Sequence, residues 1–369
     1  MPLAVLLVAE GSGGHLLPAM QVAKQLAHAG ATTQLWYTPR PQTAWLADAL
    51  KDETASGAVQ LSQVPTDAGG GWVSRCWKAG RFWRDVQRAF DREAPDVVVG
   101  FGGWVSAPVI LAARSRRIRC LVHEQNVVPG RANRWLARWV DQVAVSFQET
   151  RPMLGRRRCV VTGMPIRERI GGVARAQAAA RFTFEAARPT LLVIGGSQGS
   201  HALNRVMAQL SGHLSVDERQ YWQVIHITGA AEEGMVRQAY QAARMRAWVA
   251  PFLLDIEEAY ALADVVMARA GASTIAELAR CGIPALLIPY PHAGGHQRAN
   301  ARVVEQAGAG IVLEESAAAP SRVLAELRRL LTDAPLRARM GERMRTLDVP
   351  DAAQSLARAI LSGRGNDGA

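Results

Sequence analysis

Short apolar runs alternate along this chain with glycine-rich breaks and amphipathic stretches, the pattern of a parallel α/β protein. The pattern is clearest between Pro251 and Ala301. Ala263-Asp264-Val265-Val266-Met267-Ala268 reads as a buried strand that breaks at Gly271. Thr274 followed three residues later by Glu277 is a capping-box pattern and predicts a helix start there. Gly282 and Pro284 end that helix, Ala285 to Tyr290 forms the next apolar run, and a polar loop from His292 to Gln297 opens another helix. The result is a βαβα unit whose helix N-termini lie at the carboxyl edge of the sheet, where such proteins hold anions and nucleotides. Two readings of its residues stand level. In one, the N–H groups of Ser273–Ile275 hold a phosphate, Glu277 holds ribose hydroxyls and Gln297 the sugar or phosphate. In the other, Glu277 completes the capping box and Ser273 fills a turn.

The same rhythm runs through the rest of the chain. Leu3–Ala9 is a strand, Glu10-Gly11-Ser12-Gly13-Gly14-His15 a glycine loop, and Leu16 to Ala29 a helix. Thr33–Tyr37 and Asp96–Val99 are strands, the second running into Gly100-Phe101-Gly102-Gly103-Trp104-Val105-Ser106. Cys120–Val122 runs into His123-Glu124-Gln125-Asn126, four polar residues that are costly after a buried strand unless they face a cleft. Val143–Ser146 and Cys159–Thr162 close the first half, and Gly163 to Arg167 is the expected hinge. Val173–Arg188 is a helix or linker. Thr190–Ile194 opens the second half and ends in Gly195-Gly196-Ser197-Gln198-Gly199-Ser200, with further strands at Trp222–Thr228 and Ala247–Val249. The expected domains are 1–163 and 164–349, with a last helix, at about 350–369, crossing back onto the first.

Composition narrows the class. A length of 369 residues with 49% hydrophobic and 20% charged positions suits two cores rather than one. The net charge of +11 implies an anionic partner, although only three of the 43 basic residues are lysines, so arginine codon bias contributes. Cys76, Cys120, Cys159 and Cys281 form no C-x-x-C pair, which favours a reducing compartment over a metal cluster. The apolar start lacks a basic leader and reads as a strand, and no run is long enough to predict a membrane span. Trp72, Trp77, Phe82 and Trp83 interleave with Arg75, Lys78, Arg81, Arg84 and Arg88, and Trp135 and Trp139 with Arg131, Arg134 and Arg138. Such stretches fit an interfacial membrane surface, stacking on nucleic acid, or a core stripe backed by a solvated basic face.

Three glycine loops after strands provide phosphate-accepting backbones. The first is not G-x-G-x-x-G, and no G-x-x-x-x-G-K-[ST], H-E-x-x-H or D-x-D occurs. A diphosphate is then neutralised by helix N-termini and arginine, with Arg167 and the loop at Ser197 as candidates. Two Rossmann-like halves without a metal motif point to a two-domain nucleotide-sugar glycosyltransferase. His15 serves as a general base near neutral pH or simply as a helix-start residue bonded to backbone.

Gly11-Ser12-Gly13-Gly14-His15, Gly102-Gly103-Trp104-Val105-Ser106, His123-Glu124-Gln125-Asn126, Gly195-Gly196-Ser197-Gln198-Gly199, Arg269 through Glu277, and Gln297-x-x-Asn300 occur in one order along nearly the whole chain. Together they resemble the MurG family of bacterial N-acetylglucosaminyltransferases. The resemblance implies a GT-B fold, two Rossmann-like domains whose parallel sheets face a central cleft. It also implies inverting transfer of N-acetylglucosamine from its UDP donor to lipid I, undecaprenyl-diphosphoryl-MurNAc-pentapeptide. No cofactor or metal is implied, nucleic acid is not an expected partner, and the expected location is the anionic cytoplasmic face of the cell membrane. Carried over by position, donor contacts fall on Ser12, Gly13, Gly14, Asn126, Arg167, Ser197, Leu253, Ala272, Ser273, Thr274, Ile275, Ala276, Glu277 and Gln297. Acceptor contacts fall on His15, Gly102, Gly103, Trp104 and Asn126. His15 is the expected general base and Glu124 the second candidate. Ser12 stands where the family usually has Thr, Trp104 where it has Tyr, Met164 where it has Asn, and His296 where it has Gln. Rival readings are another UDP-sugar enzyme of the same fold, such as a 2-epimerase, and a non-enzymatic basic binding protein.

Overall fold

The computed structural model describes residues 2–38, 57–64, 72–155, 158–196 and 198–362, with backbone alone over 72–79. Ser197 and the side chains of Trp72, Arg75, Trp77 and Lys78 lie outside the described residues. The chain divides into two compact units, Met1–Arg167 with Pro350–Ala369, and Glu168–Val349.

The first unit contains β1 (Ala4–Glu10), α1 (Gly13–His28), β2 (Thr32–Thr38), β3 (Val59–Gln63), α2 (Trp72–Arg92), β4 (Val97–Gly100), α3 (Ser106–Ser115), β5 (Arg119–Glu124), α4 (Arg131–Leu136), β6 (Gln142–Val145), a 3₁₀ turn at Gln148–Leu154, and β7 (Cys159–Val161). The second contains α5 (Arg175–Phe182), β8 (Thr190–Ile194), α6 (His201–Ser211), α7 (Val216–Tyr221), β9 (Gln223–Ile227), α8 (Glu233–Ala242), β10 (Arg246–Ala250), α9 (Ile256–Leu262), β11 (Val265–Ala268), α10 (Ala272–Cys281), β12 (Ala285–Leu287), α11 (His296–Gln306), β13 (Gly310–Val312), α12 (Pro320–Thr332) and α13 (Ala334–Arg345). The last helix, α14 (Ala352–Leu361), belongs to the first unit.

In the first unit seven parallel strands run in the order β3-β2-β1-β4-β5-β6-β7. Both faces are covered, so the central strands β1 and β4 are apolar apart from Glu10 at the end of β1. Successive residues of β1 point to opposite faces. Leu7 joins Leu16 and Met20 of α1 and Leu356 and Ile360 of α14. Leu6 and Val8 join Phe82, Val86 and Phe90 of α2, Ile110 of α3 and Leu136 of α4. Phe82 is therefore core and not part of an exposed aromatic surface, because it falls at the helical spacing of Val86 and Phe90. Arg119 of β5 donates to the carbonyl of Ala359 at 3.0 Å, fastening the end of α14.

In the second unit six parallel strands run in the order β10-β9-β8-β11-β12-β13 over a core of Leu191, Met207, Val224, Tyr240 and Leu327. Each sheet has one place where the order reverses, between β1 and β4 and between β8 and β11. Loops leaving the carboxyl ends of such neighbours part to opposite faces and leave a crevice.

Two strands and three boundaries differ from the sequence pattern in ways that matter. β3 and β13 were not expected, β3 being half polar and β13 three residues long. Helix α1 begins at Gly13, which puts Gly13, Gly14 and His15 in its first turn. Strand β5 extends to Glu124, so His123 and Glu124 are strand residues. Helix α10 starts at Ala272 with Gly271 as N-cap, and the Thr274–Glu277 capping box does not form.

Candidate functional site

At the first switch point Ser12 is the N-cap of α1, in extended geometry, yet its hydroxyl caps no backbone N–H. It lies instead 2.6 Å from Nδ1 of His15. The ring's other edge lies against Gly102, where an added Cβ would stand 3.0 Å from His15 Nε2. Gly102 and Gly103 have φ of +88° and +77°, a left-handed backbone that glycine adopts without the Cβ penalty. Ser106 donates to the Gly102 carbonyl at 2.9 Å, and Gln125 to the Phe101 carbonyl at 2.8 Å. The loops after β1, β4 and β5 are thereby gathered around one imidazole. Trp104, beside them, is 63% exposed.

The polar run after β5 does not open outward as its composition suggested. His123, Glu124 and Gln125 are buried, and Asn126 is partly exposed. Glu124 Oε1 accepts from the Asn126 N–H at 2.9 Å and its amide at 3.4 Å. Glu124 Oε2 accepts from Gly130 N–H and Asn133 Nδ2, both at 2.9 Å. A carboxylate offers about four acceptor directions, and all are used within the loop. Glu124, the second candidate base, thus fastens the 124–133 loop and has no oxygen left for a substrate proton. His123 Nε2 lies 3.1 Å from the Gly163 carbonyl, and burial pulls its pKa down to about 4. It is a neutral strut between β5 and the end of this unit. Arg167, partly buried, is this unit's last residue before the chain enters the other.

At the second switch point α10 begins with no side chain on its first N–H groups and no acid in its first turn. A helix start of this kind carries a partial positive charge and unpaired donors. Ala272 and Ile275 are buried, so they present backbone, while Ser273, Thr274, Ala276 and Glu277 are partly exposed. Glu277 Oε2 accepts from the Tyr260 hydroxyl at 2.7 Å, which fixes the carboxylate one turn further along. Gln297 Oε1 accepts from the N–H groups of Tyr290, at 2.9 Å, and Ala270, at 3.2 Å, joining the start of α11 to the loops after β12 and β11. Arg269 donates to the Ile288 carbonyl at 3.0 Å and pairs with Glu315, so it braces the same edge. Leu253 is buried in the loop after β10.

The glycine loop after β8 is packed backbone to backbone. A Cβ on Gly199 would stand 1.8 Å from the Thr228 carbonyl oxygen, and one on Gly229 2.3 Å from that of Gln198. Sequence reasoning missed two residues that hold these loops, Tyr260 and Asn204, and gave Gln125 only as one of a polar run expected to face a cleft. Asn204 had a visible signal, a polar residue on the apolar stripe of Leu203, Met207 and Leu210. Tyr260 had none, since its partner Glu277 is distant in sequence. Among the described residues no group of three or more His, Cys, Asp or Glu is placed to hold a metal ion, and no helix is long and apolar enough to cross a membrane.

Residues 5–145 match the glycosyltransferase family 28 N-terminal domain and residues 190–356 the family 28 C-terminal domain. The chain is 34% identical, over 98% of its length, to the UDP-N-acetylglucosamine--N-acetylmuramyl-(pentapeptide) pyrophosphoryl-undecaprenol N-acetylglucosamine transferase of Syntrophotalea carbinolica, covering 99% of that protein. It is 35% identical, over 97% of its length, to the protein of the same name from a Nocardioides species, covering 97% of it. It is also similar to the crystal structure of Acinetobacter baumannii MurG, with a TM-score of 0.77 and 30% identity, covering 98% of this chain and 100% of that one. Two parallel-sheet α/β units of the GT-B kind, these domain matches and this identity along the full length lead to one assignment: the chain belongs to the MurG family of glycosyltransferases.

Proposed function

We propose that the protein transfers N-acetylglucosamine from UDP-N-acetylglucosamine to the 4-hydroxyl of the N-acetylmuramyl unit of lipid I, giving lipid II for peptidoglycan synthesis. The observation that carries the reading is shared by both switch points: α1 and α10 begin with no side-chain cap, Ser12 being turned to His15 and Glu277 held by Tyr260 one turn beyond the helix start. In this reading the N–H groups at Ala272–Thr274 and Arg167 take the donor diphosphate, Glu277 the ribose and Gln297 the sugar or phosphate. Ser12, Gly13, Gly14, Asn126, Ser197 and Leu253 complete the donor contacts. His15, Gly102, Gly103, Trp104 and Asn126 take the acceptor.

The acceptor O4 attacks the anomeric carbon while the bond from that carbon to UDP breaks, which inverts the centre. The O4 proton goes to Nε2 of His15. That requires the neutral tautomer with hydrogen on Nδ1, which in this reading donates to Ser12 Oγ, 2.6 Å away. Charge developing on UDP is stabilised by the start of α10 and by Arg167, with no metal needed. Trp83, Trp135 and Trp139 are exposed among Arg81, Arg84, Arg134 and Arg138, and they serve as a peripheral contact with anionic lipid on the cytoplasmic membrane face.

The test is UDP release from UDP-N-acetylglucosamine by the purified protein, with and without a lipid I analogue, in the presence of a chelator. Release that depends on acceptor and yields a disaccharide lipid is expected. Release without acceptor would point to an epimerase or hydrolase, and no release would overturn the reading.

A further inference from the structure

A chain of buried hydrogen bonds runs from the core of the second unit to the underside of the glycine loop after β8. His226, in β9, has no exposed surface. Its Nδ1 lies 2.8 Å from the Tyr240 hydroxyl and its Nε2 3.0 Å from Asn204 Oδ1. Asn204, on α6 and 1% exposed, donates through Nδ2 to the Thr228 carbonyl at 2.9 Å and to Glu232 Oε2 at 2.8 Å. Glu232 pairs through its other oxygen with His201, at the surface.

The directions of these bonds follow from chemistry. Two acceptors face Asn204 Nδ2, so the amide orientation is fixed and Oδ1 must face His226. An amide oxygen only accepts, so Nε2 of His226 carries the hydrogen and Nδ1 accepts from Tyr240. The imidazole is neutral, because burial pulls its pKa down to about 3. Every polar atom of His226 and Asn204 is used once this assignment is made.

We propose that Asn204, oriented by His226, is a positioning residue for the donor site: it anchors the Thr228 carbonyl on which the Gln198–Gly199 end of the glycine loop rests. The close approach at Gly199, where a Cβ would lie 1.8 Å from that oxygen, leaves no slack between carbonyl and loop. Thr228 and Gly229 also bond to the Ala250 and Pro251 carbonyls, each at 3.0 Å, so the same anchor sets the strand end that leads to Leu253. The inference rests on the reading of this loop as part of the UDP-sugar site.

The test compares four variants in the transfer assay and in UDP binding by calorimetry. Asn204→Asp keeps the shape and the bond from His226 but turns a carboxylate on the Thr228 oxygen and on Glu232. It is expected to raise the donor KM and the UDP Kd together by about tenfold or more, the scale of a lost buried hydrogen bond, with acceptor KM unchanged. His226→Gln keeps a donor toward Asn204 and is expected to hold donor KM within about twofold, whereas His226→Leu raises it. Tyr240→Phe, at the far end, is expected to lower Tm with donor KM unchanged. An Asn204→Asp protein with native circular dichroism and wild-type donor KM overturns the proposal. So does a Gln variant that behaves like Leu, a comparison that decides the matter if Asn204→Asp fails to fold, and so does a Tyr240→Phe effect on donor KM equal to that of His226→Leu. A wild-type protein that binds no UDP overturns the donor-site reading itself and this inference with it.

Discussion

Gly199→Ala tests whether the glycine loop after β8 is held by contact or merely permitted by its backbone. The added Cβ would stand 1.8 Å from the Thr228 oxygen and 2.5 Å from its carbonyl carbon. An ordinary carbon–oxygen approach is about 3.3 Å, so loop or strand end must move by about 1.5 Å. The φ of +76° adds a left-handed strain of about 1–2 kcal/mol for alanine. Forced overpacking adds about 1–3 kcal/mol, giving about 2–5 kcal/mol in all. Gly30→Ala is the matched control, with φ of +81° and nothing within 4 Å of the added carbon. It should show the backbone strain alone, about 1–2 kcal/mol, with transfer unchanged. In the UDP-release assay Gly199→Ala should lose about 100-fold in kcat/KM for the donor, the scale set by a 1 Å misplacement of a positioning group. A Gly199→Ala protein no less stable than Gly30→Ala, and with wild-type donor kinetics, would refute the steric account.

Three further outcomes follow from the geometry. His15→Ala should lower kcat by about 10²–10⁴-fold while UDP affinity holds, whereas Glu124→Gln should lower Tm and shift turnover much less, without moving the pH profile; equal losses in kcat would restore Glu124 as a base. Burial holds His123 at about 4 and His226 at about 3, below the ordinary value of 6.5, so the unfolded chain takes up protons first as pH falls. Their stabilising contribution is full above about 6.5 and is lost downward toward 4 and 3, amounting to about 2 kcal/mol for each at pH 5; urea midpoints at pH 7 and pH 5 should show the decline, with a smaller one in His226→Gln. Charge reversal at Arg81 and Arg84 should weaken co-sedimentation with anionic liposomes and leave turnover on a soluble acceptor intact, and indifference to both lipid charge and variant would remove the surface role.

Much of the architecture was legible because parallel strands buried on both faces read as short apolar runs, and because glycine marks the turn from strand to helix. The order of the strands was not. Which loops meet at a switch point depends on β4 inserting beside β1 and β11 beside β8, and nothing in the local pattern of Val97–Gly100 or Val265–Ala268 carries that pairing. Local rules failed where tertiary partners competed. Thr274 and Glu277 have capping-box spacing, yet Gly271 starts the helix earlier and the Tyr260 hydroxyl takes the carboxylate. His123, Glu124 and Gln125 looked like a cleft-lining run, but each found a partner close at hand after β5 had extended through two of them. Phe82 sits between Arg81 and Trp83 in a stretch that fitted either a surface or a core stripe, and its helical spacing to Val86 and Phe90 places it in the core while Trp83 is exposed.

Helix starts are closed by a side chain at some places in this chain and left open at others. Helix α7 is closed by a full capping box between Ser215 and Glu218, and α13 by Asp333, which accepts from Leu336 N–H at 2.8 Å. Helices α1, α10 and α11 start at the carboxyl edges of their sheets with no side-chain cap and no acid in the first turn. Such a helix forgoes a stabilising contact and keeps its donors for an anion. Gly271→Asp puts the two uses in competition. Its backbone, φ −68° and ψ 144°, suits a capping side chain, and the new Cβ meets only Thr274 Oγ1 at an ordinary 3.6 Å. The carboxylate should cap α10 and interact with its dipole, raising the stability of the ligand-free protein by about 0.3–1 kcal/mol. It should also occupy the donors proposed for the diphosphate and repel it, so that UDP Kd rises by tenfold or more, on the order of one charge-assisted contact exchanged for a like-charge one. A more stable protein with weakened UDP binding is the expected pair of results. Raised stability with unchanged UDP affinity would mean that the start of α10 is not where the diphosphate sits.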